Sequence, residues 1–130
     1  MHIVIHTSSP EPVYEQIVRQ IQDAVRSGRL KPGAALPPVR QLAIDLALNR
    51  NTVARAYKIL EEQSVIQTAG RKGTFVRHDA EREIARVKSG RAERVMRRAI
   101  KALMGDGLSR KDMTDLFNRA LTLEAKGQRP

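Results

Sequence analysis

Apolar residues recur at helical spacing in three stretches of the first half of the chain. In the clearest stretch, residues three, four and seven positions apart are apolar, a spacing that places them on one face of a helix. These residues are Val53, Ala56, Tyr57 and Leu60. The other two stripes are Val13, Tyr14, Ile17, Val18, Ile21, Ala24 and Val25, and then Val39, Leu42, Ala43 and Leu46. The pattern predicts three helices, the second of them short.

Residues that begin or end helices stand at the borders of these stripes. Pro37 and Pro38 precede the short helix, and proline is tolerated in a first turn. Asn49 is a favourable N-cap for the helix that follows. Leu48 lies in the link, where an apolar side chain can fill the corner between two helices. The sequence therefore predicts a short helix, a tight turn and a longer helix.

The polar face of the third helix carries one sign of charge. It holds three cations and one amide but no carboxylate: Arg50, Asn51, Ala54, Arg55 and Lys58. A solvated helix usually mixes both signs, whereas this composition suits a partner that offers acceptors and negative charge. The alternative is an ordinary surface helix with chance charge.

A β-hairpin with a basic tip is predicted directly after this helix. Residues rich in β-formers flank the tip: Val65, Ile66 and Thr68 before it, Thr74, Phe75 and Val76 after it. The tip is Gly70-Arg71-Lys72-Gly73, in which two glycines permit a turn with positive φ. Cations at the tip of a hairpin after such a helix suit a wing that contacts DNA phosphates. Residues 3–5 predict a further short strand.

Taken together, these motifs resemble the winged helix-turn-helix domain of GntR-family bacterial transcription regulators. The runs that carry the resemblance are LPPVRQLA, NRNTVARAYKILE and GRKGTFV, and it extends over roughly residues 10–77. NTVARAY and the short C-terminal region resemble the YtrA-type branch most. The resemblance implies a dimeric repressor that binds an inverted repeat in double-stranded DNA. It leaves room for a small-molecule effector, which no motif identifies.

The resemblance also implies site residues, position by position. It assigns DNA contacts to Arg40, to Arg50 and Thr52 at the start of the third helix, and to Gly70–Gly73 at the wing tip. Two positions depart from the family pattern. Pro38 stands where a serine often caps the helix, and Ala54 stands where a large branch has a guanine-binding arginine. Ala54 suits contact with a thymine methyl group instead.

Composition agrees with a polyanionic partner. The chain has 24 Lys+Arg against 14 Asp+Glu, a net charge of +10. Charge alone does not choose among DNA, RNA and anionic lipid. Aromatic residues make up only 3%, and all four lie in apolar patterns that predict core positions, which argues against stacking on single strands. The absence of cysteine and of a long apolar run is compatible with a cytoplasmic protein without a membrane partner.

After the wing, a second region of residues 78–130 is predicted to be helical. One helix should start near Asp79 or Ala80 and end at Gly105-Asp106-Gly107; another should follow a capping box at Ser109 and Asp112 and fray after Gly127. Two helices cannot bury their stripes alone, so we expect a homodimer. The residues assigned to the dimer are Val95, Ala99, Leu103, Leu116 and Phe117. Alternatively, these helices fold back on the winged domain (residues 1–77), or their arginines (Arg91, Arg94, Arg97, Arg98) contact flanking phosphates.

The predicted fold is therefore mainly α with a small β wing. The sequence predicts no enzyme, cofactor or metal site: Ser8 and Ser9 lack a recognisable base, and no carboxylate cluster joins His2 and His6. Two alternatives to a specific regulator stay open. One is an architectural, nucleoid-type DNA-binding protein, and the other is a winged helix that docks RNA or protein.

Overall fold

A computed structural model of the chain describes residues 1–127. Along the chain it contains α1 (Val13–Arg26), β1 (Ala35–Leu36), α2 (Val39–Leu46), α3 (Arg50–Glu62), β2 (Ile66–Thr68), a 3₁₀ turn (Gly70–Lys72), β3 (Thr74–Val76), α4 (Ala80–Gly105) and α5 (Arg110–Gly127). The predicted fold class, mainly α with a small β wing, is confirmed.

The first three helices share one hydrophobic core. α3 packs against both α1 and α2, and the predicted apolar stripes are the faces that meet. Ile17 and Ile21 of α1 and Val53 and Leu60 of α3 have no solvent-exposed surface. Complete burial of branched apolar side chains is a main source of folding free energy.

A three-stranded antiparallel sheet follows this core in the order β1-β3-β2. The β2–β3 hairpin confirms the predicted wing, with Ile66 opposite Val76 and Thr68 opposite Thr74. The sequence did not predict β1, which pairs Ala35 with Phe75. Two residues are too few for a periodicity signal, so only the pairing defines this strand.

The prediction of a strand at residues 3–5 is wrong. This segment forms no strand; side chains of α1 bind its backbone instead. Gln20 accepts from Val4 N–H at 2.9 Å and donates to Val4 C=O at 2.7 Å. The buried Gln16 bonds the N–H and C=O of His6, both at 2.9 Å. Backbone groups that a sheet would pair are thus paired by two amide side chains.

α4 begins at Ala80, as predicted, and its first turns belong to the core. Ala80 and Ile84 are each only 1% exposed and lie in the same hydrophobic cluster as α1 and α3. The chain accordingly divides into one compact unit of Met1–Lys88 and a second that begins at Ser89. The compact unit therefore extends beyond residue 77, where the sequence analysis places the end of the winged domain.

The second unit has well-defined helix ends and no core of its own. α4 ends before Gly107, whose φ of 91° suits glycine. The capping box is confirmed: Asp112 accepts from Ser109 N–H at 2.9 Å, and Ser109 Oγ accepts from Asp112 N–H at 3.1 Å. These bonds lower the pKa of Asp112. Between Ile84 and Gly127 no side chain is buried; the predicted fraying after Gly127 concerns residues outside those described.

None of the helices in residues 1–127 combines the length and the apolar character that crossing a lipid bilayer requires.

Candidate nucleic-acid interface

A tight turn connects α2 to α3. Ala47 ends α2 in the left-handed conformation, with φ 53° and ψ 45°. Its N–H donates to Ile44 C=O at 3.2 Å, and Leu48 N–H donates to Ala43 C=O at 2.9 Å. Leu48 then packs partly buried against the core, as the sequence predicted. The turn directs the chain into α3 within three residues.

Asn49 starts α3 as predicted. Its side-chain oxygen accepts from Asn51 N–H at 2.8 Å, which satisfies one of the amides that a helix start leaves unpaired. The cap defines the first turn of α3, and that turn carries Arg50 and Asn51 on its exposed surface.

The predicted polar face of α3 is exposed to solvent. Arg50, Asn51, Ala54, Arg55 and Lys58 are all exposed, whereas Thr52 is only half-exposed. The opposite face is buried, from Val53 with no exposed surface to Tyr57 with 5%. Among the described residues, none of the three cations of this face lies within 4 Å of a carboxylate. Their charge is therefore available to a partner.

A shallow depression lies where α2 and α3 begin. It is lined by Val39, Asn49, Arg50, Asn51 and Ala54. The small side chain of Ala54 lines it together with Arg50 and Asn51, whose side chains carry hydrogen-bond donors. An apolar group flanked by hydrogen-bonding groups fits this surface.

Arg55 occupies the margin of the same face that adjoins α1. Its guanidinium carbon lies 3.8 Å from the centre of the Tyr14 ring, in cation–π contact. Tyr14 belongs to the predicted apolar stripe of α1 and packs partly buried against the core. Its contact with Arg55 was missed, because it joins residues on separate helices.

The wing tip is a short turn with two exposed cations. Gly70 has φ 57° and Gly73 φ 104°, which confirms the predicted positive φ values. Ala69 N–H donates to Gly73 C=O at 2.8 Å and closes the turn. Arg71 and Lys72 project from it as exposed side chains. Arg40 of α2 is exposed as well.

A hydrogen bond connects α3 to the wing. Thr68 of β2 donates from its hydroxyl to the Glu61 carboxylate near the end of α3. Thr74, opposite Thr68 on β3, lies 3.3 Å from the Thr68 hydroxyl. The sequence predicts Thr68 and Thr74 as strand residues of the hairpin but does not predict the bond to Glu61, because that bond depends on how the helix packs on the hairpin.

Tyr57 binds α3 to the segment just before α2. Its hydroxyl donates to Pro37 C=O at 2.6 Å. Burial raises the pKa of the Tyr57 phenol well above its ordinary value of 10.0, because a phenolate would lose its hydration. The predicted core position of Tyr57 is confirmed, because only 5% of its surface is exposed.

Not every aromatic residue is core. Phe117 of α5 is 48% exposed, which contradicts its predicted core position, and Phe75 of β3 is only half-buried. Other residues predicted to form the dimer are exposed as well: Val95 is 59% exposed and Leu116 37%. Ala99 is exposed and Leu103 half-buried.

Residues 13–76, which contain α1 to β3, match the family model described as "Bacterial regulatory proteins, gntR family". A solved structure of YtrA from Sulfolobus acidocaldarius, a GntR-family transcription factor, is 37% identical, covers 69% of this chain and 95% of that one, and has a TM-score of 0.56. The chain belongs to the GntR family.

Two further proteins that the chain resembles are also transcriptional regulators. The transcriptional repressor YtrA of Bacillus subtilis is 42% identical over 78 residues, which are 60% of each protein. The chain thus spans only about 60% of this curated relative. A transcriptional regulator from Oenococcus oeni is 31% identical, with a TM-score of 0.65 over 91% of this chain and 98% of that one. The family and these relatives are regulators rather than enzymes.

Tyr57→Phe should lower stability at neutral pH by about 0.5–1.5 kcal/mol, because the partly buried Pro37 C=O loses its hydrogen-bond donor. Because the folded pKa is raised, only the unfolded state releases the phenol proton above about pH 10, so stability falls with rising pH. Tyr57→Phe should show a weaker fall in this window. Denaturant titrations between pH 8 and 11 measure both effects, with Tyr14→Phe as the matched control. Equal pH slopes in wild type and Tyr57→Phe would contradict the prediction.

Proposed function

We propose that the protein is a cytoplasmic, sequence-specific DNA-binding regulator that acts as a homodimeric repressor on an inverted-repeat operator. The observation that carries the proposal is the exposed face of α3. Its cations lack carboxylate partners in the described chain, and its capped first turn presents Arg50 and Asn51. In helix-turn-helix proteins the N-terminal residues of the second helix contact base edges in the major groove.

Within this proposal the residues divide into two roles. Arg50 and Asn51 bind base edges, and the depression that they line with Ala54 accepts a thymine methyl group. Arg40, Lys58 and the wing tip bind phosphates, which supply affinity without sequence preference. Thr52, which is half-exposed, contacts the DNA backbone beside Arg50.

The exposed apolar residues of the second unit support a homodimer. α4 exposes Val95, Met96, Ile100 and Met104, and α5 exposes Leu116, Phe117, Leu121 and Leu123. Monomeric proteins seldom leave so many large apolar side chains in water. A second copy supplies matching stripes, and two-fold symmetry then pairs two α3 helices with two half-sites.

The function is tested by selecting bound duplexes from a random pool with the full-length protein. We expect an inverted repeat, bound at least about 10³-fold more tightly than random duplex at the same salt concentration. Comparable affinity for every duplex would indicate an architectural protein. Stronger competition by RNA than by duplex DNA would indicate an RNA-binding winged helix.

Arg50→Ala should weaken operator binding by about 1–3 kcal/mol and relax the preference at one base position in each half-site. The reason is the loss of a bidentate donor at a base edge. Arg110→Ala is the matched control, because Arg110 is also an exposed arginine that opens a helix. Selection and titration of both variants measure the effect. Unchanged base preference in Arg50→Ala would contradict the assignment.

Replacing Arg71 and Lys72 together by alanine should weaken binding to operator and random DNA alike. The slope of log K against log salt should become shallower by about 1–2 units if both cations meet phosphates. Arg110 and Lys111 form the same exposed pair in α5 and provide the control double variant. A slope that stays at the wild-type value would place the wing away from DNA.

Val95→Glu or Phe117→Glu should shift the protein from dimer to monomer, because a buried carboxylate at the interface would lack a partner. Operator affinity should then fall by roughly 10²–10⁴-fold, since the two half-sites no longer gain from effective concentration. Deleting the second region by truncation after His78 would be a poorer test. It would also remove Ala80 and Ile84, which are buried in the core. Sedimentation measures the outcome, with the exposed Arg119→Glu as control. A monomeric wild type would refute the dimer.

A further inference from the structure

One cation of the α3 face is held by a side chain of another helix. The Arg55 guanidinium lies against the Tyr14 ring of α1, 3.8 Å from its centre. Tyr14 itself packs partly buried against the hydrophobic core. Partial burial restricts the rotamers of this ring, whereas an arginine on a helix surface ordinarily samples many rotamers.

This contact leaves the donors of Arg55 free. Stacking uses the face of the guanidinium, while its five N–H groups lie in the plane and point outward from the edges. Among the hydrogen bonds and ion pairs formed within residues 1–127, none uses Arg55. A stacked plane with unoccupied donors is a preformed site for a planar or tetrahedral oxyanion.

The position of Arg55 indicates which acceptor it meets. Arg50 and Asn51 occupy the first turn of α3, from which base edges are reached. Arg55 lies one turn later, at the margin beside α1, and its contact with Tyr14 draws it toward that side. Groups at the margin of a helix in the major groove meet the phosphates that border the groove.

We propose that Tyr14 is a positioning residue for Arg55, whose guanidinium it holds flat at the margin of α3 so that the N–H edge binds a DNA phosphate. The inference rests on the proposed DNA-binding function. Its physical benefit is pre-ordering: the entropy of fixing a long side chain is lost during folding rather than on binding. Tyr14 would thus contribute to DNA affinity through Arg55.

The test is a double-mutant cycle in the full-length protein. Dissociation constants are measured for wild type, Tyr14→Leu, Arg55→Gln and the double variant, on a selected operator and on a random duplex, at several salt concentrations. Tyr14→Leu should weaken both duplexes by about two- to tenfold, the range that pre-ordering one side chain supplies. The double variant should bind no more weakly than Arg55→Gln, because Tyr14 then has nothing to position.

Two conservative variants separate positioning from packing. Tyr14→Phe keeps the ring and should stay within about twofold of wild type. Arg55→Lys leaves α1 and the core unchanged but removes the planar group, and it should lose affinity although it keeps the charge. It also keeps the proposal testable if Tyr14→Leu fails to fold. The control cycle pairs Tyr14→Leu with Lys58→Gln, whose effects should simply add.

The outcomes are distinct. An equal loss from Tyr14→Leu in the presence and absence of Arg55, or an Arg55→Lys variant with wild-type affinity, would overturn the positioning role. A loss confined to the operator would overturn the phosphate assignment. The salt slope of Arg55→Gln should fall by about 0.9 if one phosphate contact is lost. A wild-type protein without selective duplex binding would instead refute the proposed function itself.

Discussion

The burial of one side of α3 is the constraint on which the interface depends. Val53, Ala56 and Leu60 have no exposed surface and lie against α1 and α2. A helix buried on one side must present its other side to solvent, because its side chains radiate at fixed angular intervals. The exposure of Arg50, Asn51 and Lys58 is therefore a consequence of packing. Removing the apolar contacts would remove the orientation of the cations as well.

Contacts at both margins of α3 reinforce this orientation. Tyr57 binds Pro37 just before α2, Arg55 stacks on Tyr14 of α1, and Glu61 binds Thr68 of the wing. Each contact joins α3 to a different element. A rigid arrangement of this kind lowers the entropy that binding must overcome, since the donors are already in place when a partner arrives.

The second unit shows the opposite balance. Its helices are well capped locally, yet no side chain between Ile84 and Gly127 is buried. Caps and helical propensity are worth only a few kcal/mol, and most of the stability of a helix comes from packing of its apolar face. The first turns of α4 obtain that packing from the core through Ala80 and Ile84. The remainder carries its apolar residues on the surface, which is why we propose a second copy as its partner.

Features that depend on neighbouring residues were predictable from the sequence by itself. The apolar stripes of α1 to α3, the Asn49 cap, the glycines of the wing and the Ser109–Asp112 capping box all follow from spacing and local hydrogen bonding. The composition of the α3 face followed in the same way. The family resemblance then connected these elements into a known fold.

Only the tertiary structure decided which distant residues meet. The stacking of Arg55 on Tyr14, the bond from Thr68 to Glu61 and the pairing of β1 with β3 each join separate elements. Residues 3–5 look like a strand in isolation, but Gln20 binds the backbone of Val4 in place of a sheet, and Gln16 binds that of the neighbouring His6. Periodicity describes which face of an element is apolar, but it carries no information on what lies opposite that face. That is determined by how the elements pack, and packing depends on the whole chain.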